Sequence, residues 1–158
     1  MPNHLSILGI IHTAISILAI LAGLFALLRD GKIDPANHRG SLYIWLAVAT
    51  CITGLPVMRF GHPTPGHYLA VLILVLRPVG IYAGRLFGKK GNYAQIIIMS
   101  TTLFISLIPA IVETLTRLPM EHPLASGPND PIIQIGKIIL GVIFLSGLTY
   151  QLLKAKPK

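Results

Sequence analysis

Five apolar stretches dominate the chain, at residues 5–28, 42–58, 68–87, 94–116 and 132–153, and polar residues are concentrated in the segments between them. Each stretch approaches the roughly 20 residues that an α-helix needs to cross about 30 Å of hydrocarbon. None alternates apolar with polar residues as a half-buried strand does. Backbone in lipid is satisfied only within a helix or a closed barrel, so the pattern predicts an all-α membrane helix bundle of five transmembrane helices. The second stretch is the shortest and is interrupted by Gly54 and Pro56, and the fifth carries Gln134 and Lys137 near its start. These two are the less regular spans.

The connections, Arg29 to Ser41, Arg59 to His67, Gly88 to Tyr93 and Leu118 to Pro131, are rich in Gly, Pro, Asn and Asp, as turns require. None is long enough to fold alone, so residues 1–158 form a single transmembrane domain. Composition agrees: 53% of residues are hydrophobic and 11% charged, too little polar surface for a water-soluble domain.

The basic residues give an orientation. Arg29, Lys32, Arg39, Arg85, Lys89, Lys90, Lys154, Lys156 and Lys158 fall on one side of the expected bundle, and Arg59 and Arg117, with Lys137 close by, on the other. By the positive-inside rule the first side is cytoplasmic, which places the N-terminus outside and the C-terminus inside. No Lys or Arg precedes the first stretch, which argues against a cleaved signal peptide. The net charge of +8 sits at helix ends and in short loops. Anionic lipid head groups account for it better than nucleic acid, which is not expected as a partner. The expected surroundings are the lipid bilayer of a cell's inner membrane and other membrane subunits or a second copy of the chain. The single Cys51 reads as a small packing residue and allows no intrachain disulfide.

Charge inside hydrocarbon is expensive and commonly faces a bundle interior, which singles out His12, Arg77, Glu113 and Lys137. Helical rise puts His12, Glu113 and Lys137 about 6 to 10 Å below the outer boundary and Arg77 about 15 Å below it. His12 lies on a stripe of small residues with Gly9, Ser16, Ala19 and Gly23, of the kind along which membrane helices approach. Similar stripes hold Arg77 with Ala70, Gly80 and Gly84, Glu113 with Thr102, Ser106, Pro109 and Thr116, and Lys137 with Gln134 and Gly141. All are expected to point inward.

Five of the six histidines, His4, His12, His62, His67 and His122, fall towards the outer side, and only His38 lies on the other. Four functional readings follow. In the leading one the chain is a membrane subunit that binds haem b, another redox cofactor or a ligand, with His12 and His67 as axial ligands and Arg59 or Arg117 pairing with propionates. In the second, Glu113, Lys137, His12 and Arg77 form a conduit for protons, ions or a small solute, or hold an anion. A copper or zinc site on His62 and His67 is a variant. In the last, ion pairs such as Glu113 with Lys137 or Arg77 only hold helices together, and the chain is a non-catalytic accessory or assembly subunit. Ser6, Ser16, Ser100 and Ser106 lie within apolar stretches without an obvious base, so no hydrolase reading arises.

His12 in the first stretch, His38-Arg39-Gly40 and Tyr43 leading into the second, and Gly61, Pro65 and His67 opening the third form a recognisable series. Over residues 11–84 the chain resembles an uncharacterised group of small bacterial polytopic membrane proteins. It departs from that group at Asn92, where a further His usually precedes the fourth helix. The resemblance implies a bacterial inner-membrane protein with functional histidines. His38-Arg39 is read as the start of a helix on the basic side, with contact to a phosphate-bearing head group or a quinone as the alternative.

Overall fold

The computed structural model describes residues 6–57, 61–119 and 122–155, and those residues are helical or in turns, with no strand. Five long helices, α1 (Ile7–Asp30), α2 (His38–Gly54), α3 (Pro65–Ile81), α5 (Gly91–Arg117) and α6 (Pro131–Lys154), match the five apolar stretches one to one. A five-residue helix, α4 (Ala83–Phe87), and the 3-10 turn Gly88–Lys90 join α3 to α5.

Local chemistry sets the boundaries. Ser6 Oγ accepts the Gly9 N–H at 3.1 Å and starts α1, and Gly31, at φ 70°, closes it with its N–H on the Leu27 carbonyl. The second helix begins four residues ahead of its apolar stretch because Asn37 Oδ1 accepts the Gly40 N–H at 2.7 Å. His38-Arg39-Gly40 is therefore the first turn of α2. The third stretch does not run unbroken to residue 87. Pro78 has no N–H to offer the Leu74 carbonyl, α3 ends at Ile81, and the chain bends at Tyr82 into α4. Gly91 then lets α5 begin against α4: a Cβ there would stand 2.5 Å from Gly84 Cα and 2.9 Å from the Ala83 carbonyl oxygen.

α1 packs chiefly on α2, α3 on α5, and α5 on α6. The buried face of α1 is the small-residue stripe, with Gly9, Ala19 and Gly23 continued by Ala26. Against it lie Tyr43, Ile44 and Ala47 of α2 and Met99 and Leu103 of α5. A smaller cluster of Cys51, Ile73 and Ile105 joins α2, α3 and α5. The sixth helix leans on one neighbour: Phe104 stacks on Phe144 with ring centroids 4.4 Å apart, Ser100 Oγ donates to Gln151 Oε1 at 3.0 Å, and Ile133 is its one buried residue.

By length and composition α1, the helical run Ala83–Arg117 and α6 are long and apolar enough to cross a membrane, and α3 is a shorter apolar helix. Their outer faces are apolar: Leu28, Leu153 and Ile7 are 84%, 82% and 79% exposed, while Arg77 is 1% exposed. At one end of the bundle, Lys32 Nζ donates to Asn92 Oδ1 at 3.2 Å and the Tyr93 hydroxyl to the Ala155 carbonyl at 3.2 Å. These bonds draw together the C-terminal ends of α1 and α6 and the N-terminal end of α5, which brings Arg29, Lys32, Arg39, Lys89, Lys90 and Lys154 to that end.

Candidate functional site

Two polar centres lie within the bundle, both built on α2. The first is at the α1–α2 contact. His12 Nδ1 stands 3.1 Å from the Thr50 carbonyl oxygen and 3.3 Å from Thr53 Oγ1. A carbonyl only accepts, so Nδ1 carries the proton and Nε2 keeps its lone pair. That is the tautomer a metal-ligating imidazole uses, with its other nitrogen held by a backbone oxygen. The ring fits because residue 54 is Gly: a Cβ at that position would lie 2.7 Å from His12 Cε1. Thr50 and Thr53 carry no ionisable group and do not stand out in the sequence. Their signal is the three- and four-residue spacing Thr50, Thr53, Gly54 on a helix expected to meet the stripe of His12.

The second centre lies deeper, between α2, α3 and α5. Arg77 is the largest fully buried side chain among the described residues. Its Nη1 donates to the Ile44 carbonyl at 2.8 Å, and its guanidinium carbon sits 4.7 Å from the centre of the Tyr43 ring. The Tyr43 hydroxyl lies 3.1 Å from Thr102 Oγ1, which itself donates to the Met99 carbonyl at 2.8 Å. Thr102 therefore accepts from Tyr43, and Ser106 continues the series by donating to the Thr102 carbonyl at 2.9 Å. Arg77 was expected to face inward from its stripe and does. The aromatic platform under it leaves no mark in the spacing of α3, because the Tyr43 ring becomes a seat only when α2 is set against α3.

The remaining residues are placed differently from one another. His67 caps its own helix: Nδ1 accepts the Thr64 N–H at 3.0 Å, which puts its proton on Nε2, a buried nitrogen with no hydrogen-bond partner among the described residues. In that state His67 is a donor through Nε2 and not a metal ligand. His62 is exposed, with Nδ1 3.2 Å from the Pro63 carbonyl oxygen, and His122 is also exposed. Glu113 is not enclosed in the interior, although it lies near enough to His12 for its charge to be felt there. It is half exposed and pairs with Arg117 one turn along α5, a pairing available at a helix end where both side chains reach the polar boundary. Arg117 is accordingly engaged with Glu113 and not held apart for a propionate. Lys137 is half-buried on α6 and takes part in none of the ion pairs formed among the described residues, which are Lys32–Asp34, Arg39–Asp30 and Arg117–Glu113. The expected ion pairs of Glu113 with Lys137 or Arg77 are thus replaced by Glu113–Arg117. His4, Arg59 and Glu121 lie outside the described residues.

Among the described residues no group of three or more His, Cys, Asp or Glu side chains is placed to hold one metal ion. An apolar groove of about 450 Å³ runs between α5 and α6, lined by Ala110, Ile111, Thr114, Leu115, Gly136 and Ile139. It offers no polar group beyond the Thr114 hydroxyl to orient a ligand. Comparison with family models, with curated proteins and with solved structures finds no match to this chain.

Proposed function

We propose that the chain is a multi-pass inner-membrane protein. Its five long helices cross the bilayer, its N-terminus is outside and its C-terminus inside, and it acts as a ligand-binding membrane subunit through the polar interior built on α2. One observation carries this reading: burial is inverted relative to a water-soluble protein. The largest fully buried side chain is an arginine, while leucines and isoleucines of α1 and α6 stand exposed. In water such a surface would be a large apolar patch. In lipid it is the solvated face, and polar residues that turn inward find partners there. The cluster of basic residues at one end supports the orientation.

Cysteine labelling tests it. Ser126→Cys, in the connection between α5 and α6, is expected to react with a membrane-impermeant maleimide in intact spheroplasts, and Lys90→Cys only after permeabilisation. The reverse pattern would overturn the orientation, and equal labelling of both before permeabilisation would overturn the spanning arrangement.

A haem-binding subunit is the second reading, favoured by His12, whose Nε2 keeps its lone pair for a metal. The tautomer of His67 does not favour it as the other axial ligand. An absorption spectrum of the purified protein, oxidised and then dithionite-reduced, tests this. A Soret band that shifts on reduction and is lost in His12→Ala but kept in His67→Ala is the expected result. A colourless protein after expression with ample haem removes haem and leaves the ligand-binding reading to Arg77.

A further inference from the structure

We infer that Arg77 anchors a binding site for a small planar monovalent anion, of carboxylate or nitrate type, at the middle of the bundle. This rests on the membrane-spanning reading above and names the ligand class of the deeper polar centre.

Depth and chemistry leave Arg77 little alternative. It lies 12 residues into a helix that begins at Pro65, about 18 Å along the axis from that end, and at 1% exposure its guanidinium has not snorkelled out to water. A cation taken out of water this completely is strongly unfavourable without an opposite charge. The groups that touch it, the Ile44 carbonyl and the Tyr43 ring, are both neutral. Each described acid is committed elsewhere: Asp30 to Arg39, Asp34 to Lys32, Glu113 to Arg117, and Asp130 to Ser126 and the start of α6.

The way the guanidinium is held defines what would complete it. Nη1 is fixed by Ile44, and the two nitrogens without an acceptor among the described residues are Nε and Nη2. In a planar guanidinium these form one edge, with two parallel N–H groups, the arrangement that grips two oxygens of a planar anion at once. Tyr43 does not compete, because its hydroxyl donates to Thr102. Its ring holds one face of the guanidinium, which leaves the edge oriented. One positive charge calls for one negative charge. Arg77 is almost wholly enclosed, which restricts the ligand to a few atoms.

The test follows thermal unfolding of the full chain in detergent or nanodiscs while sodium formate or nitrate replaces sodium methanesulfonate at constant ionic strength. A saturable rise in Tm is expected, about 4 °C at ten times Kd. Arg77→Met is expected to abolish it. Arg77→Lys, which keeps the charge but not the fork, is expected to lose the preference for formate over chloride, and it carries the test if the Met variant does not fold. A shift that rises without saturation, or that persists unchanged in the variants, overturns the site. Failure of the spanning reading would appear in the cysteine labelling and leaves this readout independent.

Discussion

His12 shows how little room one side chain needs to tie two helices. Its imidazole reaches the Thr50 carbonyl only because Gly54 leaves the space that a Cβ, at 2.7 Å from Cε1, would occupy. Gly54→Ala is therefore expected to push the ring off its acceptor and to cost about 1 to 3 kcal/mol, the usual range for overpacking. His12→Ala removes both the hydrogen bond and the obstruction. In that background Gly54→Ala is expected to cost much less, and a double-mutant cycle by thermal unfolding in detergent checks it; strict additivity would mean the two residues do not press on each other. His12 could be picked out in the sequence because an imidazole among apolar residues is conspicuous. Its partners could not, because a threonine or a backbone carbonyl becomes distinctive only when another helix brings a donor to it.

At the scale of the element, helix ends and close approaches decide more than apolar length. Asp130 caps α6, accepting from the Ser126 N–H and hydroxyl and from the Ile132 N–H at 2.9 to 3.1 Å. These donors hold its carboxyl below the usual carboxylate range. Because the folded value is the lower one, the cap's contribution is complete above the ordinary aspartate pKa and is lost as pH falls through the depressed folded value. Amide exchange at Ser126 and Ile132, corrected for intrinsic rate, is expected to be slow at neutral pH and to accelerate only below the ordinary carboxylate range; in Asp130→Ala it should be fast throughout. Glycines give a second contrast. Gly91→Ala would drive a Cβ into the backbone of Gly84, which cannot rotate aside, so the α4–α5 corner is expected to open with a clear fall in Tm. Gly147→Ala on α6 meets nothing within 4 Å and is expected to be neutral or stabilising by up to about 1 kcal/mol through helix propensity. A large loss there would reveal a protein neighbour on that face. The break at Tyr82 shows the same dependence on local chemistry: the apolar run continues to Phe87, but Pro78 and the approach of Gly91 to Gly84 bend the chain.

For the molecule as a whole, exposure of apolar faces around a buried guanidinium leads to one coarse expectation: the chain should stay with the membrane pellet after alkaline carbonate extraction. Release into the supernatant would contradict the spanning reading. The sequence by itself determined the number and approximate span of the long helices, because an apolar run of about 20 residues has few ways to satisfy its backbone outside water. It also identified the small-residue face of α1 and the inward turn of Arg77, since periodicity alone records which residues share a face. Only the tertiary structure decided the partners. Glu113 lies on a polar stripe, yet it is half exposed and pairs with Arg117, because an i,i+4 neighbour at a helix end is within reach without leaving the polar boundary. His67 is a ligand candidate from sequence, and the structure adds that its Nδ1 caps α3, because the Thr64 N–H at the helix start needs an acceptor. Tyr43 and Ile44 became the seat of Arg77 only when α2 and α3 were brought side by side. Faces are written in the spacing of residues along one helix, whereas contacts depend on how two helices are set against each other, and a single chain's periodicity carries no record of that.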